Sequence, residues 1–132
     1  MSDINNQLID TAIEAAKNAY VPYSKFNVGA AILMKDGTIL KGANVENASF
    51  GLCNCAERTV LFYAYAQGYR KEDIIKLAVV ADTSEGVSPC GACRQVMSEL
   101  LELECPILLS NIKKTDVKET NIQELLPYIF KL

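Results

Sequence analysis

Apolar residues recur along the chain with two different periods, and the changes between them outline the secondary structure. Near the start of the chain, apolar positions fall three and four residues apart, which predicts a helix that Ser2 or Asp3 can cap and that ends before Pro22. Two apolar, partly β-branched runs follow at residues 28–34 and 38–43, and the three residues between them end in glycine. This pattern predicts two antiparallel strands joined by a hairpin turn.

The next helix is unusual because it has no polar face. Residues 55–67 lack helix breakers, but residues 60–65 are apolar or aromatic without interruption. A helix that is apolar all round must be buried all round, and one sheet in so small a domain covers only one side. We therefore expect the other side to meet another subunit. The remaining predicted elements are a strand at 74–81, a helix at 91–103, strands at 106–110 and 116–119, and a last helical turn at 122–126.

The order of the predicted elements indicates the fold class. It runs helix, strand, strand, helix, strand, helix, strand, strand, helix, which predicts an α/β fold with a mixed sheet of about five strands and helices on both faces. A chain of 132 residues is one domain by length, and its 50% apolar content supplies one core. We therefore predict a single domain over residues 1–132.

Charge and composition argue against several kinds of partner. The net charge is −3 and the isoelectric point is near 5.0, which disfavours binding of long DNA or RNA through its phosphates. No apolar run approaches the roughly 20 residues that span a bilayer, so no membrane association is expected. The polar, acidic start predicts no signal peptide and a cytoplasmic protein. In a reducing compartment, five cysteines favour metal binding or catalysis over disulfides.

Three thiols and one carboxylate form a pattern with chemical meaning. Cys55 stands two residues before Glu57, and Cys90 stands three residues before Cys93. A catalytic zinc site takes three ligands from protein and leaves the fourth position open for water or substrate. Zinc lowers the pKa of bound water to about 7. A nearby carboxylate can move the protons. The three thiols are therefore candidate zinc ligands, and Glu57 is the candidate acid and base.

The charge of such a centre needs compensation. Cys55, Cys90 and Cys93 stand at predicted helix starts, whose positive potential lowers the pKa of a thiol, so we expect all three to be biased towards thiolate before metal binds. Three thiolates on one Zn²⁺ leave one net negative charge. We expect Arg58, one helical turn from Cys55, to offset it by donating to ligand sulfur. Arg94 is a weaker candidate for this role.

The motifs taken together resemble a known family. Asn-Val-Glu-Asn-Ala at 44–48, Cys-Ala-Glu-Arg-Thr at 55–59 and Pro-Cys-Gly-Ala-Cys-Arg-Gln-Val at 89–96 resemble the small, homotetrameric, all-cysteine cytidine deaminases, and the likeness covers about 12–130. It implies a three-layer α/β/α sandwich, one Zn²⁺ per chain, and hydrolytic deamination of cytidine and deoxycytidine in pyrimidine salvage. The general signature of such deaminases begins with His, where this His-free chain has Cys55.

The resemblance also implies how a nucleoside is held. Two polar residues near the end of the second predicted strand would hold the ribose hydroxyls, although polar residues also commonly close a strand. Aromatic residues would line the pyrimidine pocket, one of them from a neighbouring chain in a composite site, although a lone Phe more often belongs to a core. At one aromatic position many relatives carry Tyr, so a hydroxyl is missing here. The substrate contacts so implied are Asn44, Glu46, Phe26, Phe50 (the Tyr position), Phe130 (the neighbour's residue) and Ala56.

Three alternatives remain open at this point. Cys53 could join the other three thiols in a closed four-cysteine zinc site, which would make the chain a structural module. Cys90 and Cys93 alone match a thioredoxin-type redox pair. The substrate could also be a nucleotide, a free base or another aminated nucleoside, although the acidic Glu46 suits a hydroxyl donor better than a phosphate. We expect Cys105 to be a buried apolar thiol.

Overall fold

A computed structural model describes residues 2–132, and its elements follow the predicted order. The helices are α1 (Asp3–Ala16), α2 (Ala56–Ala66), α3 (Gly91–Leu100) and α4 (Ile122–Leu125). The strands are β1 (Val28–Met34), β2 (Ile39–Ala43), β3 (Ile74–Ala81), β4 (Ile107–Asn111) and β5 (Val117–Thr120). Two short 3₁₀ turns, Phe50–Leu52 and Lys71–Asp73, were not expected, because three residues are too few to show a period.

The strands form one mixed sheet in the order β2-β1-β3-β4-β5. β3 and β4 are parallel, and the other neighbouring pairs are antiparallel. The predicted hairpin between β1 and β2 is confirmed, and Gly37 in its turn has a φ of +88°, which glycine adopts without strain. The predicted mixed sheet of five strands is therefore confirmed.

Helices cover both faces of this sheet. On one face α1 buries Leu8, Ile9 and Ala12 against apolar side chains of β1, β3 and β4. On the other face α2, α3 and α4 enclose a larger core that includes Leu61 and Met97. The arrangement is the expected three-layer α/β/α sandwich.

Two helices end earlier than their apolar periods suggest. The first ends at Ala16 because the chain then turns away, and the backbone of Tyr20 pairs with the backbone of Asn44 and Glu46 just beyond the end of β2. The third ends at Leu100, where Leu101 becomes extended and buried in the core. Tertiary packing decides both ends, and it leaves no local signal in the sequence.

The chain itself covers only one side of α2. Val60, Leu61 and Ala64 are buried, whereas Phe62 and Tyr63 are each 47% exposed. This exposed aromatic side is what the absence of a polar face predicts for a single chain. Within residues 2–132, the structure contains no helix with the length and apolar character that crossing a membrane requires.

Candidate active site and metal centre

Two helix starts bring three thiols to one point. Cys55 is the N-cap of α2, Cys90 is the N-cap of α3, and Cys93 is buried in the first turn of α3. The three sulfur atoms all lie within 4.8 Å of one another, and the sulfurs of Cys55 and Cys90 are 3.8 Å apart. The predicted grouping of these three thiols is confirmed.

The spacing of the sulfur atoms suits a tetrahedral zinc ion. Zinc–sulfur bonds of about 2.3 Å at tetrahedral angles place two ligand sulfurs ~3.8 Å apart. The sulfurs of Cys55 and Cys90 show that separation, at 3.8 Å. The backbone N–H of Cys93 donates to the sulfur of Cys90 at 3.4 Å, so a hydrogen bond orients one of the sulfurs towards the group. Three soft sulfur donors within 4.8 Å of one another fit Zn²⁺.

Cys53 lies outside this group. Its sulfur accepts a hydrogen bond from the backbone N–H of Asn47 at 3.2 Å, and its thiol donates to the carbonyl of the same residue at 3.5 Å. Among residues 2–132, the cluster with metal-ligand geometry consists of the other three thiols. The structure therefore does not form a closed four-cysteine site. Cys105 is buried as expected, and burial raises its pKa to about 11.

Cys55 and Cys93 hold their protons unequally. The pKa of Cys55 is lowered to about 5, chiefly because the thiol of Cys93 donates a hydrogen bond to its sulfur and also because Arg58 does so. The pKa of Cys93 is raised for the same reason, since its proton is held in that hydrogen bond. The expectation that all three thiols are biased towards thiolate is therefore wrong for Cys93. A shared proton stabilises one anion at the expense of its neighbour.

The two candidate arginines have different partners. Arg58 donates from Nη2 to the sulfur of Cys55 at 3.3 Å, as expected for charge compensation. Arg94 instead donates from Nε to the carbonyl of Pro89 at 2.9 Å and from Nη1 to the carbonyl of Leu125 at 2.8 Å. Arg94 thus ties the segment before Cys90 to the end of α4.

A cavity of about 170 Å³ opens beside the thiols. Apolar side chains of β3 and of the loop before Cys90 form part of its wall. The predicted site residues in its lining are Phe26, Asn44, Cys55, Ala56, Glu57 and Cys90. The structure therefore brings six of the predicted residues to one small cavity.

Glu57 is the buried acid of this cavity. It lies in the first turn of α2 and is only 4% exposed. Burial is the main reason that the pKa of its carboxyl is raised, and the nearby negative charge of Cys55 adds to the effect. A carboxyl with a raised pKa can hold and release a proton closer to neutral pH, which general acid–base catalysis requires.

Asn44 fixes the segment that presents Phe26 to the cavity. Its Nδ2 donates to the carbonyl of Phe26 at 2.8 Å, and its Oδ1 accepts from the backbone N–H of Val28 at 3.0 Å. These two bonds occupy both ends of the amide. They hold the entry to β1 in place beside the thiols.

Glu46 fixes the same segment from its other end. Its carboxylate accepts from the backbone N–H groups of Tyr23 and Ser24, both at 3.1 Å, and from the hydroxyl of Ser24. That hydroxyl in turn accepts from the backbone N–H of Phe26 at 3.0 Å. The hydrogen bond from Ser24 is the main reason that the pKa of Glu46 is lowered. Sequence reasoning missed Ser24, because its contact with Glu46 spans 22 positions.

Three predicted contacts lie elsewhere within the described residues. Glu46, Phe50 and Phe130 are not part of the cavity lining. Phe50 is 75% exposed and packs edge-on against Tyr23, with ring centroids 6.3 Å apart. Phe130 is 68% exposed near the end of the chain.

Comparison with known proteins agrees with this geometry. A family model described as the cytidine and deoxycytidylate deaminase zinc-binding region matches residues 2–106. The cytidine deaminase of Halalkalibacterium halodurans is 57% identical over 123 residues, covering 93% of this chain and 91% of the relative. That of Sporosarcina psychrophila is 51% identical over 124 residues, covering 94% of this chain and 89% of the relative.

A solved structure shows the same fold. The crystal structure of cytidine deaminase from Burkholderia pseudomallei superimposes with a TM-score of 0.92 at 49% identity and covers 98% of this chain and 100% of that one. A three-layer α/β/α domain with thiols at two helix starts and a buried glutamate beside them defines the class of the zinc-dependent deaminases. The chain belongs to the cytidine and deoxycytidylate deaminase family.

Proposed function

We propose that this chain is a zinc-dependent cytidine deaminase, a cytoplasmic enzyme of pyrimidine salvage. It converts cytidine and deoxycytidine to uridine and deoxyuridine and releases ammonia. The observation that carries the proposal is the convergence of three sulfurs within 4.8 Å of one another, next to a cavity that the buried Glu57 lines together with Cys55 and Cys90. Relatives of similar length that share about half of its residues bear the name cytidine deaminase, which supports the same reaction.

The proposed chemistry divides between the metal centre and the protein. Cys55, Cys90 and Cys93 would hold one Zn²⁺, which supplies a Lewis acid that makes hydroxide available at neutral pH. The carboxylate of Glu57 takes a proton from the attacking water and delivers it to N3 of the cytosine ring as the oxygen bonds to C4. It then carries the proton of the new hydroxyl to the amino group, and the C4–N bond breaks to release ammonia. Arg58 offsets the negative charge of the three thiolates. Burial of Glu57 keeps this proton transfer away from bulk solvent.

Recognition of a nucleoside is proposed for polar and aromatic residues in the cavity lining and for two, Glu46 and Phe50, outside it. Phe26 and Ala56 would contact the pyrimidine, and Asn44 and Glu46 would hold ribose hydroxyls. An ionised Glu46 accepts hydrogen bonds from hydroxyl groups but repels a phosphate, which favours a nucleoside over a nucleotide. Phe50 would contribute a hydrocarbon surface.

We further propose a homotetramer with composite sites. Phe62 and Tyr63 expose an aromatic surface on α2 that another subunit can cover. Phe130 is exposed near the end of the chain and lies outside the cavity of its own subunit, which suits a contact with a neighbour's substrate.

The decisive experiment combines metal analysis with a direct assay. We expect one zinc per chain and loss of cytidine absorbance, no loss with cytosine or CMP, and no turnover after removal of zinc by a chelator. Cys55→Ser should lose zinc, whereas Cys53→Ser, the matched control, should keep it. A protein that carries one zinc but leaves every aminated nucleoside unchanged contradicts the proposed function. A zinc-free protein with a reversible dithiol would instead favour the redox alternative.

A further inference from the structure

The loop 82–90 carries the chain from β3 to the second pair of thiols. It contains no helix or strand, so its shape depends on the contacts that its backbone makes. Val87 and Ser88, near its end, form part of the cavity wall, and Cys90 closes it. Whatever fixes this loop therefore fixes both the cavity wall and one of the three sulfurs.

Asn111 holds the start of the loop. It is the last residue of β4 and is 1% exposed. Its Nδ2 donates to the carbonyls of Thr83 and Ser84 at 3.0 and 3.1 Å and to the hydroxyl of Thr115 at 2.6 Å. Its Oδ1 accepts from the backbone N–H groups of Thr115 and Asp116 at 2.9 and 3.3 Å. One buried amide thus joins two loops at the same edge of the sheet.

Asp116 supplies a second attachment to the same loop. Its Oδ2 accepts from the backbone N–H of Gly86 at 2.7 Å. Gly86 lies so close to β4 that a Cβ there would be 2.7 Å from the carbonyl oxygen of Leu109, so no side chain fits without a shift of the backbone. Because Asn111 orients the backbone N–H of Asp116, the two attachments are linked.

We propose that Asn111 is a positioning residue for the metal centre and for the cavity wall. It sets the path of the loop, so that Cys90 arrives 3.8 Å from Cys55 and Val87 and Ser88 close the cavity. Arg94 fixes the other end of the loop through the carbonyl of Pro89, so the segment between is held at both ends. This inference rests on the proposed function, because it assigns a role within the same site.

The test removes the N–H donors of the Asn111 side chain while keeping the size of that side chain. Asn111→Asp retains an acceptor for Thr115 and Asp116 but removes the hydrogen bonds to the carbonyls of Thr83 and Ser84. Groups that orient metal ligands typically change metal affinity by 10–100-fold, so we expect zinc affinity to fall about tenfold in competition with a chromophoric chelator. At saturating zinc, KM for cytidine should rise more than kcat falls, because the cavity wall has moved.

Two further variants separate positioning from stability. Ser110→Ala removes a buried hydroxyl from the neighbouring position of β4, where it donates to the carbonyl of Asn111, so it should lower the melting temperature and leave zinc affinity unchanged. Asp116→Ala removes the attachment of Gly86, together with the exposed ion pair to Lys118 at 3.4 Å. It leaves the amide of Asn111 in place, so it should lower zinc affinity by less than Asn111→Asp does. If Asn111→Asp fails to fold, Asp116→Ala decides the question alone.

The outcomes are distinct. If the Asn111 and Asp116 variants have the same zinc affinity and the same KM as Ser110→Ala, Asn111 acts on stability alone. That result would overturn the inference. If the variants lower zinc affinity as expected but wild-type protein leaves cytidine unchanged, the proposed function fails and the positioning role of Asn111 stands.

Discussion

The guanidinium of Arg58 donates from Nη2 to the sulfur of Cys55 at 3.3 Å, one turn along the start of α2. Its Nε is buried and, within the part of the chain that the structure describes, lies without an acceptor. The hydrogen bond to Cys55 is the main reason that the pKa of Arg58 is raised, so the side chain remains a cation. A partly buried cation with an unused donor at this point is suited to balance an anionic centre.

Replacement of Arg58 should separate metal binding from rate. We expect Arg58→Ala to keep one zinc per chain, since it is not a ligand, and to lose about 10–100-fold in kcat, the usual cost of removing a group that supports metal ligands. Zinc content by elemental analysis and steady-state kinetics on cytidine check this. Arg70→Ala, which removes an exposed guanidinium just before the 3₁₀ turn Lys71–Asp73, is the control and should have kinetics close to those of wild type. Kinetics of Arg58→Ala equal to those of wild type would refute charge compensation.

Glu57 can be tested by an isosteric change. Glu57→Gln keeps the volume of the buried side chain but cannot accept and return a proton, so the protein should fold, retain zinc and lose about 10²–10⁴-fold in kcat. Thermal unfolding, zinc content and turnover are measured together. Glu119→Gln, on the exposed face of β5, is the control for loss of a carboxylate. Substantial turnover by zinc-loaded Glu57→Gln would eliminate Glu57 as the acid and base.

The parts of this molecule that could be predicted from sequence are those with a local periodic signal or a recognisable motif. The hairpin at Gly37 follows from two apolar runs around a turn, and the grouping of Cys55 with Cys90 and Cys93 follows from ligand chemistry and the resemblance. The hydrogen bonds of Asn111 to the loop 82–90 span 27 and 28 positions and have no periodic or motif signature. The raised pKa of Cys93 depends on where one shared proton resides, which only the sulfur positions determine.

Ser24 provides a test of the segment that presents Phe26. Its hydroxyl links the carboxylate of Glu46 to the backbone N–H of Phe26, so Ser24→Ala should loosen this segment. Because water can replace this hydrogen bond at an exposed position, we expect only a small loss of unfolding free energy. We also expect a rise in KM for cytidine, with a smaller change in kcat. The control is Ser49→Ala, because the hydroxyl of Ser49 makes no capping hydrogen bond to the 3₁₀ turn that follows it. An unchanged KM for Ser24→Ala would argue against a role in presenting Phe26.

The turn between β1 and β2 gives a prediction on pH. Asp36 accepts from the backbone N–H of Thr38 at 2.9 Å and from the hydroxyl of Tyr69 at 2.8 Å, and the first of these is the main reason that its pKa is lowered. Because the folded state binds this proton less tightly than the unfolded state, the contribution of Asp36 to stability is complete above the unfolded pKa of about 4 and is lost as the pH falls through the folded pKa.

The measurement compares wild type with Asp36→Asn in urea unfolding from pH 7 to pH 3, a range of about four units that spans the ordinary carboxyl pKa. Wild type should be the more stable protein at neutral pH, and the difference should shrink as the pH falls below about 4. Taking the difference between the two proteins at each pH removes the effect of acid on the thiols. A difference that stays constant across this range would contradict the lowered pKa of Asp36.

The exposed side of α2 provides a test of assembly. Phe62 is 47% exposed in the single chain, and a surface that buries it between subunits would place any charge there out of water. Phe62→Glu should therefore dissociate the proposed oligomer, because an unpaired buried carboxylate is strongly unfavourable. Equilibrium sedimentation at micromolar concentration measures the change.

Ile4→Glu, which places the same charge on a 40% exposed apolar position of α1, should leave the oligomer intact. Wild-type protein that sediments as a monomer, or a Phe62→Glu variant with the mass of the wild-type assembly, would contradict burial of this surface. If the sites are composite, the dissociated variant should also lose turnover while keeping its zinc, since the three thiols all belong to one chain.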